Sequence, residues 1–186
     1  MTLGLFDVIG PVMHGPSSNH TGGANRIGYL ARQLMGGRPE KIRLGFHPAY
    51  MGSYTGQKSH TALIAGCLGF REYDDESTQS LEIAAKLGIP WEAYAIGETG
   101  RSRNTMRVTG EIRGQLWEIN GDSVGGGNIL ITEINGMQVS FTGEYPTLIV
   151  AHNDVSGTIT KVTGVLSKAC INIAGMRVFR QSKGQE

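Results

Sequence analysis

The sequence predicts an α+β fold, with helices packed on an antiparallel sheet, followed by a smaller strand–helix–strand unit. Three observations carry this reading. Apolar residues recur at helical spacing in the segments before Pro90. From Trp91 to Phe141 the pattern changes to short β-prone runs separated by turn residues. Between Gly143 and Thr147 it resets, and one strand, one helix and one further strand follow.

The elements follow in chain order. A short apolar segment, Leu3 to Ile9, ends at Gly10-Pro11, and Gly15-Pro16 follows it. From Thr21 onward Ala24, Ile27, Leu30, Ala31 and Leu34 mark one face of an amphipathic helix, which Gly36-Gly37 stops. Lys41 to Phe46 alternates polar and apolar residues as a strand does. His60 to Leu68 predicts a second helix closed by Gly69, and Gln79 to Leu87 a third closed by Gly88 and Pro90.

Trp91 to Ile96, Thr105 to Ile112, Gln115 to Ile119, Asn128 to Ile134 and Met137 to Phe141 read as strands. Asn135-Gly136 between the last two is a strong hairpin signal, because both residues tolerate positive φ. Gly125-Gly126-Gly127 reads as a wide β-turn and not as a phosphate loop, since no Lys-Ser or Lys-Thr follows it. In the last part, Leu148 to Ala151 is a short strand. Ile159, Val162, Val165, Leu166 and Ala169 define a helix, and Ile171 to Phe179 is a strand. Such a unit can hardly bury both faces of its own sheet.

Composition excludes several functions. Seventeen basic and sixteen acidic residues give a net charge of +1, without the positive field that nucleic-acid binding requires. The first ten residues lack a basic n-region and so do not read as a signal peptide, and no apolar run reaches the length of a membrane span. Cys67 and Cys170 lie far apart in apolar surroundings, without CxxC spacing or neighbouring histidines, which points to reduced thiols in a cytoplasmic protein. No metal site is expected on this chain.

The segment that concentrates chemistry is Gly15-Pro16-Ser17-Ser18-Asn19-His20-Thr21. A helix N-terminus offers free N–H groups and the positive end of a dipole, which together cradle a carboxylate or phosphate. Ser17, Ser18 and Thr21 add hydroxyls, and His20 can move a proton near neutral pH. A simpler reading fits the same pattern: Ser18 or Asn19 caps the helix and His20 faces solvent.

The run from Phe6 to Gly28, FDVIGPVMHGPSSNHTGGANRIG, resembles the start of the β subunit of iron–sulfur-dependent L-serine dehydratases. That family's pattern is Phe-Asp-x-Ile-Gly-Pro-x-Met-x-Gly-Pro-Ser-Ser-Ser-His-Thr. Further resemblances follow in order at Gly52-Ser53-Tyr54, Ala62 to Phe70, Asn104-Thr105, Ser123 to Gly127 and Ile131 to Gly136. From Leu148 the chain is similar to an ACT regulatory module, with His152-Asn153-Asp154 and Gly157 in the first turn and Ile171-Asn172-Ile173 in the second strand.

The resemblance implies two domains: a serine dehydratase β-type domain over 1–145 and a truncated ACT module over 147–186, a partial ferredoxin-like βαβ unit. It implies a cytoplasmic β subunit of an L-serine ammonia-lyase, which converts L-serine to pyruvate and ammonia with a [4Fe-4S] cluster acting as Lewis acid. The ligands of that cluster are expected on a partner α subunit, within an oligomer. The Met1 start without a fused cysteine-rich region fits the two-subunit form.

On the same basis His20 is the expected catalytic base. Ser17, Ser18, Asn19, Thr21, Asn104 and Thr105 are expected to bind substrate, and Asn153, Asp154 and Gly157 an effector. The sequence departs from the family at Asn19, where serine is usual. It reads Gln57-Lys58-Ser59-His60 in place of His-Gly-Thr-Asp, and Ser102-Arg103-Asn104-Thr105 in place of His-Pro-Asn-Thr. His60 falls at the aspartate position and is assigned no catalytic role. The lost histidines and aspartate motivate an alternative, a non-catalytic amino-acid-binding or regulatory protein of the same fold.

Overall fold

The structure is a computed structural model that describes residues 12–97, 102–153 and 155–179. The apolar segment expected at Leu3 to Ile9 lies outside the described residues. The chain divides into two compact units, which meet at Tyr145 and Pro146.

In the first unit a π-helical turn, Ser18–Gly23, runs into helix α1, Ala24–Leu34. Strand β1 is Lys41–Phe46, helix α2 Ser59–Leu68 and helix α3 Ser80–Lys86. Strands β2 Trp91–Ala95, β3 Thr105–Ile112, β4 Gln115–Gly125, β5 Asn128–Ile134 and β6 Met137–Phe141 follow. They form a six-stranded sheet of order β2-β1-β3-β4-β5-β6.

The meander β3 to β6 is antiparallel as the sequence predicts, and β1 adds to it antiparallel through β3. The β1–β2 pair is parallel, so the sheet is mixed. Between these two strands the chain passes through α2 and α3, and a helical crossover of that kind returns the chain in the direction in which it left. Strand β4 is longer than the expected Gln115 to Ile119 and runs to Gly125, with register shifts after Asn120 and after Ser123. Such shifts bend a strand and increase its local twist. Asn135 and Gly136 take φ of 49° and 78°, as a two-residue hairpin turn requires.

The core lies between one face of the sheet and the helices. Ile42, Leu44 and Phe46 of β1 share that face with Met106 and Val108 of β3 and with Ile119 of β4, and all six are buried. Ile27 and Ala31 of α1 and Leu63, Ile64 and Cys67 of α2 complete it. The two helices cross at glycine. A Cβ at Gly28 would overlap the Leu63 carbonyl, and one at Gly66 would overlap the Asn25 carbonyl. Only hydrogen at both positions lets the backbones approach this closely.

The second unit contains helix α4, Thr158–Lys168, none of whose residues is buried. Gly157 precedes it at φ 86°. Leu148 to Ala151 and Ile171 to Phe179, which the sequence predicts as strands, make no strand pairs. Ile149, Val150, Ile159, Val165, Ile171, Ile173 and Val178 are exposed. A strand is defined by a neighbour, and this unit supplies none to either segment. No helix among the described residues is long and apolar enough to cross a membrane.

Candidate functional site

The site forms where the Ser17–Thr21 turn meets the start of β3. Ser17, not Ser18 or Asn19, is the capping residue: its Oγ accepts the His20 N–H at 3.1 Å. Its carbonyl accepts the N–H groups of Thr21 and Gly22, at 2.9 and 3.2 Å. The amides of Ser18 and Asn19 are therefore the first-turn donors left for an anion.

The His20 ring does not face solvent freely. Its Nδ1 lies 3.3 Å from Ser17 Oγ and its Nε2 3.3 Å from Asn104 Oδ1, across 84 residues of sequence. An amide oxygen only accepts, so with Asn104 in this orientation Nε2 carries the proton and Nδ1 presents its lone pair to the Ser17 hydroxyl. The ring stacks on Tyr50, with centroids 4.6 Å apart and planes inclined by 20°.

The support for His20 comes from Tyr50, which belongs to no motif, and from Ser59, which lies in the Gln57 to His60 segment that departs from the family pattern. Ser59 Oγ donates to the His20 carbonyl at 2.6 Å and lies 2.6 Å from Tyr50 Oη. With its proton directed to that carbonyl, Ser59 accepts from the Tyr50 hydroxyl. Burial raises the Tyr50 phenol above its ordinary pKa, and the bond to Ser59 offsets part of the rise. Tyr50 follows Pro48 in a short 3-10 turn after β1, and Ser59 opens α2. One serine thus ties the His20 backbone to the ring on which the His20 imidazole stacks.

The turn itself is clamped. Thr21 is buried and its hydroxyl donates to the Gln57 carbonyl at 3.0 Å. A Cβ at Gly15 would overlap the Thr21 side chain, and one at Gly23 would overlap Ser123 Oγ, so the turn is pressed onto itself and onto β4. Thr105 is also buried, with its hydroxyl donated to Asp122 Oδ1 at 2.6 Å. The structure therefore joins Ser17, His20 and Asn104 directly, while the hydroxyls of Thr21 and Thr105 hold the frame. Asn19 is half-buried and its Oδ1 has no partner among the described residues.

His60 does not join this cluster. Its ring lies edge-on to Tyr54 at 5.4 Å and beside Trp91 at 5.6 Å. Burial lowers its pKa below the ordinary histidine value, opposed by the Tyr54 backbone. In the second unit Asn153 is exposed and its carbonyl accepts from the Val155 N–H at 2.8 Å. Gly157 N-terminates α4, and Asp154 lies outside the described residues.

The cysteines make a poor ligand set. Cys67 is fully buried and its thiol is pushed up to about 12 by desolvation, against a smaller opposing effect of Arg32. Cys170 is exposed, in the other unit. Among the described residues no three His, Cys, Asp or Glu side chains gather where they could hold a metal ion.

No family model matches the chain. Two curated proteins match it nearly end to end. One is the "Probable L-serine dehydratase, beta chain" of Bacillus subtilis (strain 168), 42% identical over 182 residues, which are 97% of this chain and 82% of that protein. The other is the "L-serine dehydratase, beta chain" of Peptoniphilus asaccharolyticus, 30% identical over 173 residues, 92% of this chain and 78% of that protein. With identity at this level over nearly the whole length, the chain belongs to the L-serine dehydratase beta-chain family.

Proposed function

We propose that the chain is the β subunit of an L-serine ammonia-lyase and that it supplies the substrate-binding turn and the base for converting L-serine to pyruvate and ammonia. The observation that carries this reading is the imidazole of His20, held between Ser17 and Asn104 at the mouth of a helix N-terminus. In it, the amides of Ser18 and Asn19 and the side chains of Ser17, Ser18 and Asn19 hold the substrate carboxylate. Thr21 and Thr105 position the two walls.

When the Ser17 hydroxyl turns to the carboxylate, Nδ1 of His20 is free to take the α-proton. The Cα–H bond breaks and its proton passes to Nδ1, its electron pair forms the Cα=Cβ bond as the Cβ–O bond breaks, and the β-hydroxyl takes that proton and leaves as water. The aminoacrylate tautomerises to an imine, and a second water hydrolyses it to pyruvate and ammonia. This chain's thiols do not suit an iron–sulfur cluster, because four thiolates are the usual ligand set and here one thiol is buried and the other stands alone. In this proposal a [4Fe-4S] cluster is held by a partner α subunit in the assembled oligomer, and no step is routed through it. The 147–186 part is read as a regulatory half-module whose first turn, Asn153, Asp154 and Gly157, meets an amino-acid effector.

The test is co-expression with an α subunit and an anaerobic assay of pyruvate from L-serine. The chain alone should give no pyruvate, the pair should give turnover, and His20→Ala in the pair should lower kcat by about 100-fold or more. Full turnover by His20→Ala overturns the base assignment. A second reading, a non-catalytic amino-acid-binding protein, is favoured by the position of His60, which stands against Trp91 and not at His20. It predicts L-serine binding by calorimetry without pyruvate from any pair.

A further inference from the structure

A cavity of about 470 Å³ opens beside the Ser17–Thr21 turn and is lined by residues that include His14, Thr21, Asn25, Lys58, His60 and Glu72. Ser17, His20 and Asn104 are not among its lining residues. Two of its walls hold buried oxygens that have no hydrogen-bond partner among the described residues. Asn25 is 1% exposed, and its Nδ2 donates to the carbonyls of Ala62 and Phe70, at 3.4 and 3.2 Å. Those two acceptors fix the orientation of the amide, so the partnerless atom, Oδ1, is an acceptor.

Glu72 is 5% exposed; its Oε1 accepts from Arg26 Nε at 2.8 Å and its Oε2 has no partner. His60 adds a third buried atom without a partner, Nδ1, which accepts in one of the two neutral tautomers. A buried polar atom without a partner is costly and in native proteins has a reason. Carboxylate and amide oxygens ask for a donor, and a carboxylate asks for a charged one most strongly. Divalent ions want several carboxylates, and no such set is present among the described residues. An ammonium group, with three or four N–H donors and one positive charge, is the kind of donor that such atoms accept from.

We propose that this cavity binds an ammonium group, either the ammonium ion itself or the α-ammonium of a small amino acid, at a site separate from the His20 cluster. Lys58, on the same lining, can receive the carboxylate of an amino acid. Burial lowers the His60 pKa and so favours the neutral ring, whose bare nitrogen accepts.

The test uses the full chain melted at matched ionic strength in sodium, tetramethylammonium, ammonium and methylammonium chloride. Ammonium and methylammonium should raise Tm above the other two, because tetramethylammonium has the charge and no N–H. Glu72→Gln should weaken the apparent affinity roughly tenfold or more. If that variant does not fold, Thr78→Phe, at an exposed lining position, should block the cavity and remove the shift while still melting cooperatively.

L-alanine against N-acetyl-L-alanine separates the sources. A larger shift with L-alanine than with methylammonium identifies an amino acid, and equal shifts identify the ammonium group alone; either upholds the site. Equal Tm in all four salts, which would mean that water alone fills the cavity, overturns it, as does a shift that survives in a folded Glu72→Gln or Thr78→Phe. His20→Ala should keep the response, so this result and the base assignment can fail separately.

Discussion

His20 and Asn104 are drawn together from opposite ends of the first unit, and the residues that hold them are ordinary ones: a capping serine, a stacked tyrosine and the serine that bonds to both the tyrosine and the backbone of His20. The turn was legible from sequence as a helix start rich in small polar residues, whereas the role expected of its histidine rested on the family resemblance. Tyr50 and the contacts of Ser59 were not, since Tyr50 belongs to no motif, Ser59 stands in a segment that departs from one, and their role exists only once β1 and α2 bring them to the turn. At this scale His60 carries a pH prediction. Its folded pKa lies below the unfolded value of about 6.5, so below that pH the unfolded chain binds the proton more readily. The contribution of His60 is present above pH 6.5 and is lost as pH falls towards the folded pKa. Urea midpoints should therefore fall between pH 7.5 and 5.5 by more in the wild type than in His60→Phe; equal falls would mean that burial of this ring does not set the slope.

Helices α1 and α2 owe their crossing to two residues without side chains. Periodicity marks the apolar face of α1, yet it does not reveal that Gly28 and Gly66 are the points of contact, because a glycine inside a helix reads locally only as a weakness. In the structure, a methyl group at either position runs into backbone carbonyl, which cannot rotate away as a side-chain tip can. Gly28→Ala should destabilise the chain by about 1–3 kcal/mol, as overpacking does, although alanine is the better helix former. Chemical denaturation measures it, and a stabilised Gly28→Ala would show that the helices have room to separate. The strands divide in the same way. Their existence follows from period-two alternation, but the parallel β1–β2 pair and the extension of β4 to Gly125 follow from what lies between and beside them.

For the whole molecule, the buried core belongs to the first unit, and the second buries none of the residues of α4. The stretch 142–153 between them is outside any helix or strand, and most of its residues are exposed. Limited proteolysis should cut there first and leave a core fragment that ends near Tyr145, because cleavage within the sheet requires its ladders to open. Mass spectrometry of the first stable fragment checks this, and a first cut between Ile42 and Ile134 contradicts it.

Element type in the first unit and the hairpin at Asn135-Gly136 were determined by the sequence alone, because each is a local matter of periodicity or φ preference. Tertiary structure alone decided which strand lies beside which, that Asn104 reaches His20, that the hydroxyls of Thr21 and Thr105 face inward, and that Asn25 and Glu72 leave oxygens without partners around one cavity. These are relations between residues tens of positions apart. A linear pattern records what a residue can do, and only packing fixes what stands opposite it.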